Sequence, residues 1–262
     1  MKLRTLVRDA LYLNWALPAG SLPPPPEPLR YQVLGEGDEG QWMFASVLLF
    51  RQEGVRLSSF PLVRFSYPQM NLRLYVVDAD GVPSVYFREM LIPGWVLPAM
   101  RLVAEQPACS ARFDYPEPSR DPAAEAWRWS VERPGSSRRH GRLEVTARRA
   151  APQAGAVPRL GNWEETVRFF RERPRGYTFA GEQLRRIETE HPAVPVWPLA
   201  AQVADASFLE RVVPIAGGWP ALHSAWLCPE IPFVFDLALV PGVDLDATLA
   251  RQPAATSTRS CA

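Results

Sequence analysis

A short segment of alternating side chains carries the residue types best suited to hold an acidic ligand. Between residues 69 and 76, the polar Asn71, Arg73 and Tyr75 alternate with apolar residues, so they share one face of a β-strand. Glu89 lies in the next strand-like run, residues 84–91. An arginine can bind a carboxylate or enolate through two hydrogen bonds. A nearby glutamate can orient the arginine or transfer a proton. These four residues are the candidate ligand-binding residues.

The geometry of this group depends on the hairpin turn between the two runs. The Asp-Gly step at residues 80–81 is typical of such a turn. A three-residue loop places Asn71 opposite Glu89, with Arg73 as the diagonal neighbour of Glu89. A two-residue loop would oppose Arg73 to Arg88, which charge repulsion disfavours. A structural Arg–Glu pair, or a solvated outer face, is the alternative to ligand binding.

Secondary candidates are Gln69, at the start of the first run, and Glu190 and His191, at the end of a later one. For His191, which precedes a proline, the alternative is a hydrogen bond to a backbone carbonyl. We predict no metal site, because no Cys or His pair has zinc-like spacing. We also predict no cofactor, since the chain contains no phosphate loop or dinucleotide fingerprint.

Composition excludes several partners. The chain has 262 residues and a formal net charge of +1, so no global field favours nucleic acid or an anionic membrane. No apolar run approaches the roughly 20 residues that span a bilayer. Three widely spaced cysteines favour a reduced, cytoplasmic protein. A small-molecule ligand and a homo-oligomer are both compatible with these features.

The elements that must position the candidates are mainly strands. Near residues 3–15 we predict a short helix or coil and then an entering strand. Helices are predicted over 95–105, from Asn162, and over 206–212. Asn162 is a good N-cap, with Glu165 three residues on. Residues 1–242 form one domain in this prediction, and residues 243–262 a disordered tail. Strands are predicted near residues 29–34, 41–51, 69–77, 84–91, 108–116, 124–132, 139–148, 176–180, 183–190, 195–204, 221–227 and 231–239.

Several segments together resemble the YqjF-like family of uncharacterised bacterial proteins (domain of unknown function 2071). The matching segments, in the family's order, are Tyr12-Leu13-Asn14-Trp15, residues 67–76, Val85-Tyr86-Phe87-Arg88-Glu89, Arg175-Gly176-Tyr177 and Glu190-His191-Pro192. The family is grouped with the acetoacetate-decarboxylase-like superfamily. The resemblance implies a mostly β (α+β), single-domain, cone-shaped antiparallel β-barrel with a few outer helices and an internal pocket. The family usually has Glu where this chain has Gln69; if that carboxylate transfers a proton in the family, Gln69 cannot do so.

The resemblance also raises a chemistry that this chain lacks. Acetoacetate decarboxylase forms a Schiff base through a lysine in an apolar pocket. Lys2, at the N-terminus, is the only lysine of this chain, and arginine cannot replace it because it stays protonated. We therefore predict a barrel pocket that binds, with or without turnover, a small organic acid or keto compound without Schiff-base chemistry. The alternative is a non-catalytic scaffold or interaction protein that retains the fold.

Overall fold

The computed structural model of the protein describes residues 2–35, 40–103, 108–134, 141–153, 160, 162–180 and 183–236. Strands dominate this described part of the chain, which confirms the mostly β prediction. Its three helices are short: α1 (Leu97–Val103), α2 (Trp163–Arg171) and α3 (Ser207–Val212). The strands are β1 (Lys2–Pro18), β2 (Arg30–Tyr31), β3 (Trp42–Leu57), β4 (Phe60–Val77), β5 (Pro83–Ile92), β6 (Ala108–Ser110), β7 (Arg112–Asp114), β8 (Trp127–Arg133), β9 (Gly141–Arg149), β10 (Arg175–Ala180), β11 (Gln183–Glu190), β12 (Trp197–Asp205) and β13 (Ser224–Asp236).

Strand β1 pairs with β3 and also with β13, which is seventh in the strand order. Strands pair in the order β1-β3-β4-β5-β10-β11-β13-β12-β9-β8-β7, and β1 also pairs with β13. The first seven strands of that order therefore pair in a closed circuit, and β12, β9, β8 and β7 extend from β13. Most pairings are antiparallel; β10 with β5 and β5 with β6 are parallel. No helix among the described residues is long and apolar enough to cross a membrane.

The N-terminal segment differs from its prediction. The entering strand is found, but it already includes residues 3–15, so the predicted helix or coil is wrong. Strand β1 is hydrogen-bonded to β3 on one side and to β13 on the other. Two covered faces explain its mixed apolar pattern, which does not alternate cleanly. The two strands predicted near 221–227 and 231–239 are one strand, β13. The predicted disordered tail, residues 243–262, lies outside the described residues.

The cysteines correct a second expectation. Cys228 is a free, buried thiol, but Cys109 is disulfide-bonded. The prediction of reduced cysteines is therefore wrong for Cys109.

Strand β4 separates two packed faces. Met70, Leu72, Leu74 and Val76 pack in one cluster with the tryptophans of β8, and we call this the sheet-side face. Tyr75 packs on the opposite side with Phe170 of α2, and we call this the helix-side face, which also carries Asn71 and Arg73. The alternation predicted for this segment is confirmed.

Helix α2 is held over the helix-side face by its cap and its apolar stripe. The side-chain oxygen of Asn162 accepts a hydrogen bond from the Glu165 backbone N–H at 2.9 Å, which confirms the predicted N-cap. Such a cap contributes about 1 kcal/mol. Val167 and Phe170 are buried against the sheet, so the C-terminal end of α2 lies against Tyr75.

Candidate functional site

The hairpin of β4 and β5 has the predicted loop but not the predicted pairing of Arg73 with Glu89. The Asp78 N–H donates to the Val82 carbonyl, so the loop has three residues as predicted. Arg73 then lies opposite Phe87, but Leu72 lies opposite Glu89, which leaves Arg88 as a bulge. One extra residue moves every following side chain to the other face.

Glu89 consequently lies on the sheet-side face, opposite Leu72. Its carboxylate accepts a hydrogen bond from Arg133 Nη1 at 2.9 Å. The predicted contact between Arg73 and Glu89 is therefore wrong, and so is the placement of Glu89 beside Asn71, which lies opposite Met90.

Arg73 and Tyr75 both contact the C-terminal end of α2. The Tyr75 hydroxyl donates to the Phe170 carbonyl at 2.9 Å. Arg73 Nη2 donates to the Tyr75 hydroxyl at 3.1 Å and to the Phe170 carbonyl at 3.4 Å. That carbonyl is open to them because the residue four positions on, Pro174, has no N–H to donate. A guanidinium also suits the negative end of the helix dipole.

A second buried arginine, Arg173, lies beside this pair. Its guanidinium carbon lies 5.0 Å from the Tyr75 ring centroid and 4.4 Å from that of Phe169. Its Nε and Nη2 atoms are buried and make no hydrogen bond. Burial lowers the pKa of Arg173 to about 10. Sequence analysis missed this residue, and the available signal was weak: an arginine just after a predicted helix.

A third arginine and a second phenol complete the group. The Tyr12 ring centroid lies 5.2 Å from the guanidinium carbon of Arg73, and burial raises the pKa of Tyr12. Arg171 Nη1 donates to the Val194 carbonyl at 2.6 Å, while its Nε is buried without a partner. We call Arg73, Arg171 and Arg173 the arginine cluster.

Among the described residues, no Asp or Glu forms an ion pair with any of the three arginines of the cluster. The charge of Glu172 acts on Arg173 and opposes the effect of burial on its pKa. Arg73 and Arg173 are each only 7% exposed. Cys228, close to Arg171, does not supply a negative charge either, because burial raises the pKa of its thiol to about 12.

The other predicted residues of β4 form a separate network. Gln69 Nε2 donates to Asn71 Oδ1 at 2.8 Å, and Gln52 Nε2 donates to Gln69 Oε1 at 3.3 Å. An amide can donate and accept at once, which an ionised glutamate at position 69 could not do. Gln69 and Asn71 share the helix-side face with Arg73 but make no hydrogen bond to it.

The two secondary candidates at the end of β11 lie in different surroundings. Glu190 is exposed. His191 is partly buried, its ring centroid lies 4.7 Å from that of Phe233, and its Nδ1 lies 3.2 Å from the Pro192 carbonyl. Burial, with the charges of Arg171 and Arg73, lowers the pKa of His191. His191 is thus within electrostatic reach of the arginine cluster.

A network of buried polar side chains extends from the Tyr75 hydroxyl. The Ser46 hydroxyl lies 2.7 Å from the Tyr75 hydroxyl and donates to Asn14 Oδ1 at 2.7 Å. Asn14 Nδ2 in turn donates to Ser224 at 3.3 Å. Asn14 and Ser46 were not predicted as site residues, because this network joins three strands, β1, β3 and β13, that are distant in sequence.

The only lysine of the chain is exposed and begins β1. Lys2 lies opposite Asp236, whose partner on the other side is Glu188 of β11. Among the described residues, no three His, Cys, Asp or Glu side chains are grouped so that they could hold a metal ion.

Comparison with solved structures identifies the fold. The enduracididine biosynthesis enzyme MppR complexed with pyruvate matches with a TM-score of 0.56 and 10% identity, over 90% of this chain and 88% of that one. MppR with HEPES buffer bound matches with a TM-score of 0.55 and 11% identity, over 93% and 87%. An acetoacetate decarboxylase-like enzyme from Sphingomonas wittichii RW1 matches with a TM-score of 0.51 and 11% identity, over 89% of each chain. The protein therefore has an acetoacetate-decarboxylase-like fold.

The family follows from the sequence. The model of DUF2071, described as an uncharacterized conserved protein, matches residues 5–224. The chain belongs to this family, which confirms the resemblance predicted above. A sequence search of curated proteins finds no significant match.

Proposed function

We propose that this protein binds a small organic acid or keto acid in the arginine cluster, without forming a Schiff base. The observation that carries the proposal is the pair of buried guanidiniums, Arg73 and Arg173, with which no carboxylate of the described residues forms an ion pair. Nε of both arginines, and Nη2 of Arg173, lie buried without an acceptor.

The energetics favour a ligand over a purely structural role for Arg173. A buried charge is costly unless it is paired and hydrogen-bonded. The rings of Phe169 and Tyr75 offset part of that cost. They supply no hydrogen-bond acceptor in the plane of the guanidinium, where a ligand carboxylate would bind two of its N–H groups.

Each neighbouring group has a role in this proposal. Arg73 is the anion clamp, as predicted from the sequence, and Arg173 is added as a second cation. Tyr12, whose pKa burial raises, is a hydrogen-bond donor for a carboxylate or a carbonyl oxygen, while Tyr75 positions Arg73 and donates to the Phe170 carbonyl. Glu89 is left out of the pocket because it lies on the other face.

The fold neighbours are consistent with an acidic ligand. MppR has been solved with pyruvate, with HEPES, and with a condensation product of pyruvate and imidazole 4-carboxaldehyde. At 10–11% identity these structures support the shared fold alone. We further propose that the closed circuit of seven strands is the cone-shaped barrel of this fold, formed by one domain up to about residue 242. A cytoplasmic location stays a prediction.

Native mass spectrometry of gently purified protein tests the proposal. The wild type is compared with Arg73→Met and with Arg148→Met, a control at an exposed arginine of β9. We expect an acidic small molecule on the wild type and the control, and none on Arg73→Met. A wild type free of ligand, with no melting shift from pyruvate, acetate or succinate, would refute the proposal.

The alternative is a scaffold without a ligand, and one observation favours it. Arg73 and Tyr75 both satisfy the Phe170 carbonyl, so they also act as a cap for α2. Gln69, where the family usually has Glu, and the exposed position of Lys2 agree with a protein that has lost catalytic activity. A scaffold requires Arg73→Met to lower the free energy of unfolding with no change in any ligand response.

A further inference from the structure

We infer that the ligand of the arginine cluster is a short dicarboxylate and not a monocarboxylate. The inference rests on the proposed function and specifies its substrate class. It starts from the number and arrangement of the uncompensated charges.

Two of these charges lie around one ring. The guanidinium carbons of Arg73 and Arg173 lie 5.8 and 5.0 Å from the same Tyr75 ring centroid, so they are at most 10.8 Å apart. Tyr12 lies beside Arg73, and Phe169 stacks on Tyr75 beside Arg173. Each guanidinium therefore has its own aromatic neighbour and its own free donors.

One carboxylate would leave a positive charge uncompensated. Arg73 keeps only Nη2 bound to protein, and Arg173 makes no hydrogen bond from its side chain to the described residues. Arg173 can therefore present two N–H groups to a planar carboxylate, and Arg73 can present its Nε–H. Arg171 adds a third positive charge in the same region, with its Nε also buried and unbound. A dianion balances this charge better than a monoanion does.

The different positions of the two guanidiniums around Tyr75 favour two carboxylates over one phosphate. A phosphate concentrates its charge on a single centre, which suits donors that converge. Here Arg73 donates to the Tyr75 hydroxyl, whereas Arg173 lies beside the rings of Tyr75 and Phe169. The surrounding side chains are apolar and aromatic. A short carbon chain between two carboxylates matches that arrangement.

Isothermal titration calorimetry with matched acids tests the inference. The dicarboxylate probes are malonate, succinate and glutarate; butyrate and succinamate are monocarboxylates of succinate's length, and inorganic phosphate is the third arm. We expect the best dicarboxylate to bind at least about tenfold more tightly than butyrate or succinamate, because each further charged hydrogen-bond pair adds that much.

Variants assign the second carboxylate to Arg173. In Arg173→Met we expect succinate affinity to fall to that of butyrate, while butyrate binding stays within about threefold of wild type. Arg148→Met should match the wild type, and far-UV circular dichroism confirms that each variant is folded.

The outcomes separate this inference from the proposed function. Equal affinity for succinate and butyrate would overturn the dicarboxylate assignment and leave the proposed carboxylate site intact. Tighter binding of phosphate than of any dicarboxylate would also overturn it. Absence of binding by every acid would overturn both.

Discussion

Replacing Arg173 by methionine should not destabilise the unliganded protein. Most substitutions of a buried residue lower stability, so this expectation distinguishes a residue kept for binding from one kept for folding. Methionine has a similar length, lacks the charge, and makes favourable contacts with aromatic rings.

The expected magnitude follows from the burial of the guanidinium. A pKa of about 10 for Arg173, where 12.5 is ordinary, corresponds to roughly 3 kcal/mol against the charged form in the folded protein. The contacts with Phe169 and Tyr75 return about 0.5–2 kcal/mol each. Methionine removes the first effect and keeps part of the second, so the free energy of unfolding should stay the same or rise by about 1–2 kcal/mol.

Urea denaturation at pH 7, without ligand, measures this change. For a chain of this size, 1 kcal/mol corresponds to about 2–4 °C in Tm, so thermal scans provide a second reading. With succinate at a hundred times the wild-type Kd, the wild type should gain about 2.7 kcal/mol. The variant should gain much less, because a charged hydrogen bond to the ligand is lost.

Arg148→Met is the matched control, since Arg148 is exposed on β9 and the same side chains are exchanged. It should change neither the stability nor the ligand response. A loss of more than about 2 kcal/mol in unliganded Arg173→Met would refute the reasoning, because Arg173 would then be needed for folding.

Three further predictions concern other parts of the chain. Burial alone would raise the pKa of Asp78, but hydrogen bonds from Arg175 and from the backbone of the hairpin loop hold it below its ordinary value. The resulting stabilisation is present above about pH 4 and is lost as the pH falls. In urea titrations Asp78→Asn should therefore lower the free energy of unfolding by about 2 kcal/mol at pH 7 and by much less at pH 2. Burial raises the pKa of the Cys228 thiol from 9.0 to about 12. The stability that the neutral thiol contributes is therefore lost as the pH rises from 9 to 12. Alkaline unfolding should begin at a higher pH in Cys228→Ala than in the wild type, and equal midpoint pH values of unfolding would contradict this prediction. Borohydride treatment with pyruvate should leave the intact mass unchanged, because Lys2 is exposed and lacks the apolar surroundings that lower the pKa of a Schiff-base lysine. A reduced adduct at Lys2 would support Schiff-base chemistry.

Local patterns predicted some elements well. Residues 69–77 alternate between apolar and polar, and that period specifies a strand with two different faces whatever surrounds it. The Asp-Gly turn and the Asn162 cap are similarly local, since each depends on residues within a few positions. Both were found as predicted.

Elements whose conformation depends on distant partners were predicted poorly. Residues 3–15 form a strand only because β3 and β13 cover both of its edges. The bulge at Arg88 has no sequence signal, although it decides which face Glu89 occupies. Strand β10 pairs in parallel with β5, and the paired residues Ser84 and Arg175 are 91 positions apart, so no local window contains both strands.

The sequence by itself determined the family, the alternating face that carries Arg73, and the lack of a lysine placed for Schiff-base chemistry. These follow from residue identity and short-range spacing. Only the tertiary structure decided which charges meet: it moved Glu89 to Arg133 and brought Arg173 to Tyr75, 98 positions away in the numbering. The reason is that the cost of an unpaired charge depends on burial, and burial is set by the packing of α2 against the sheet.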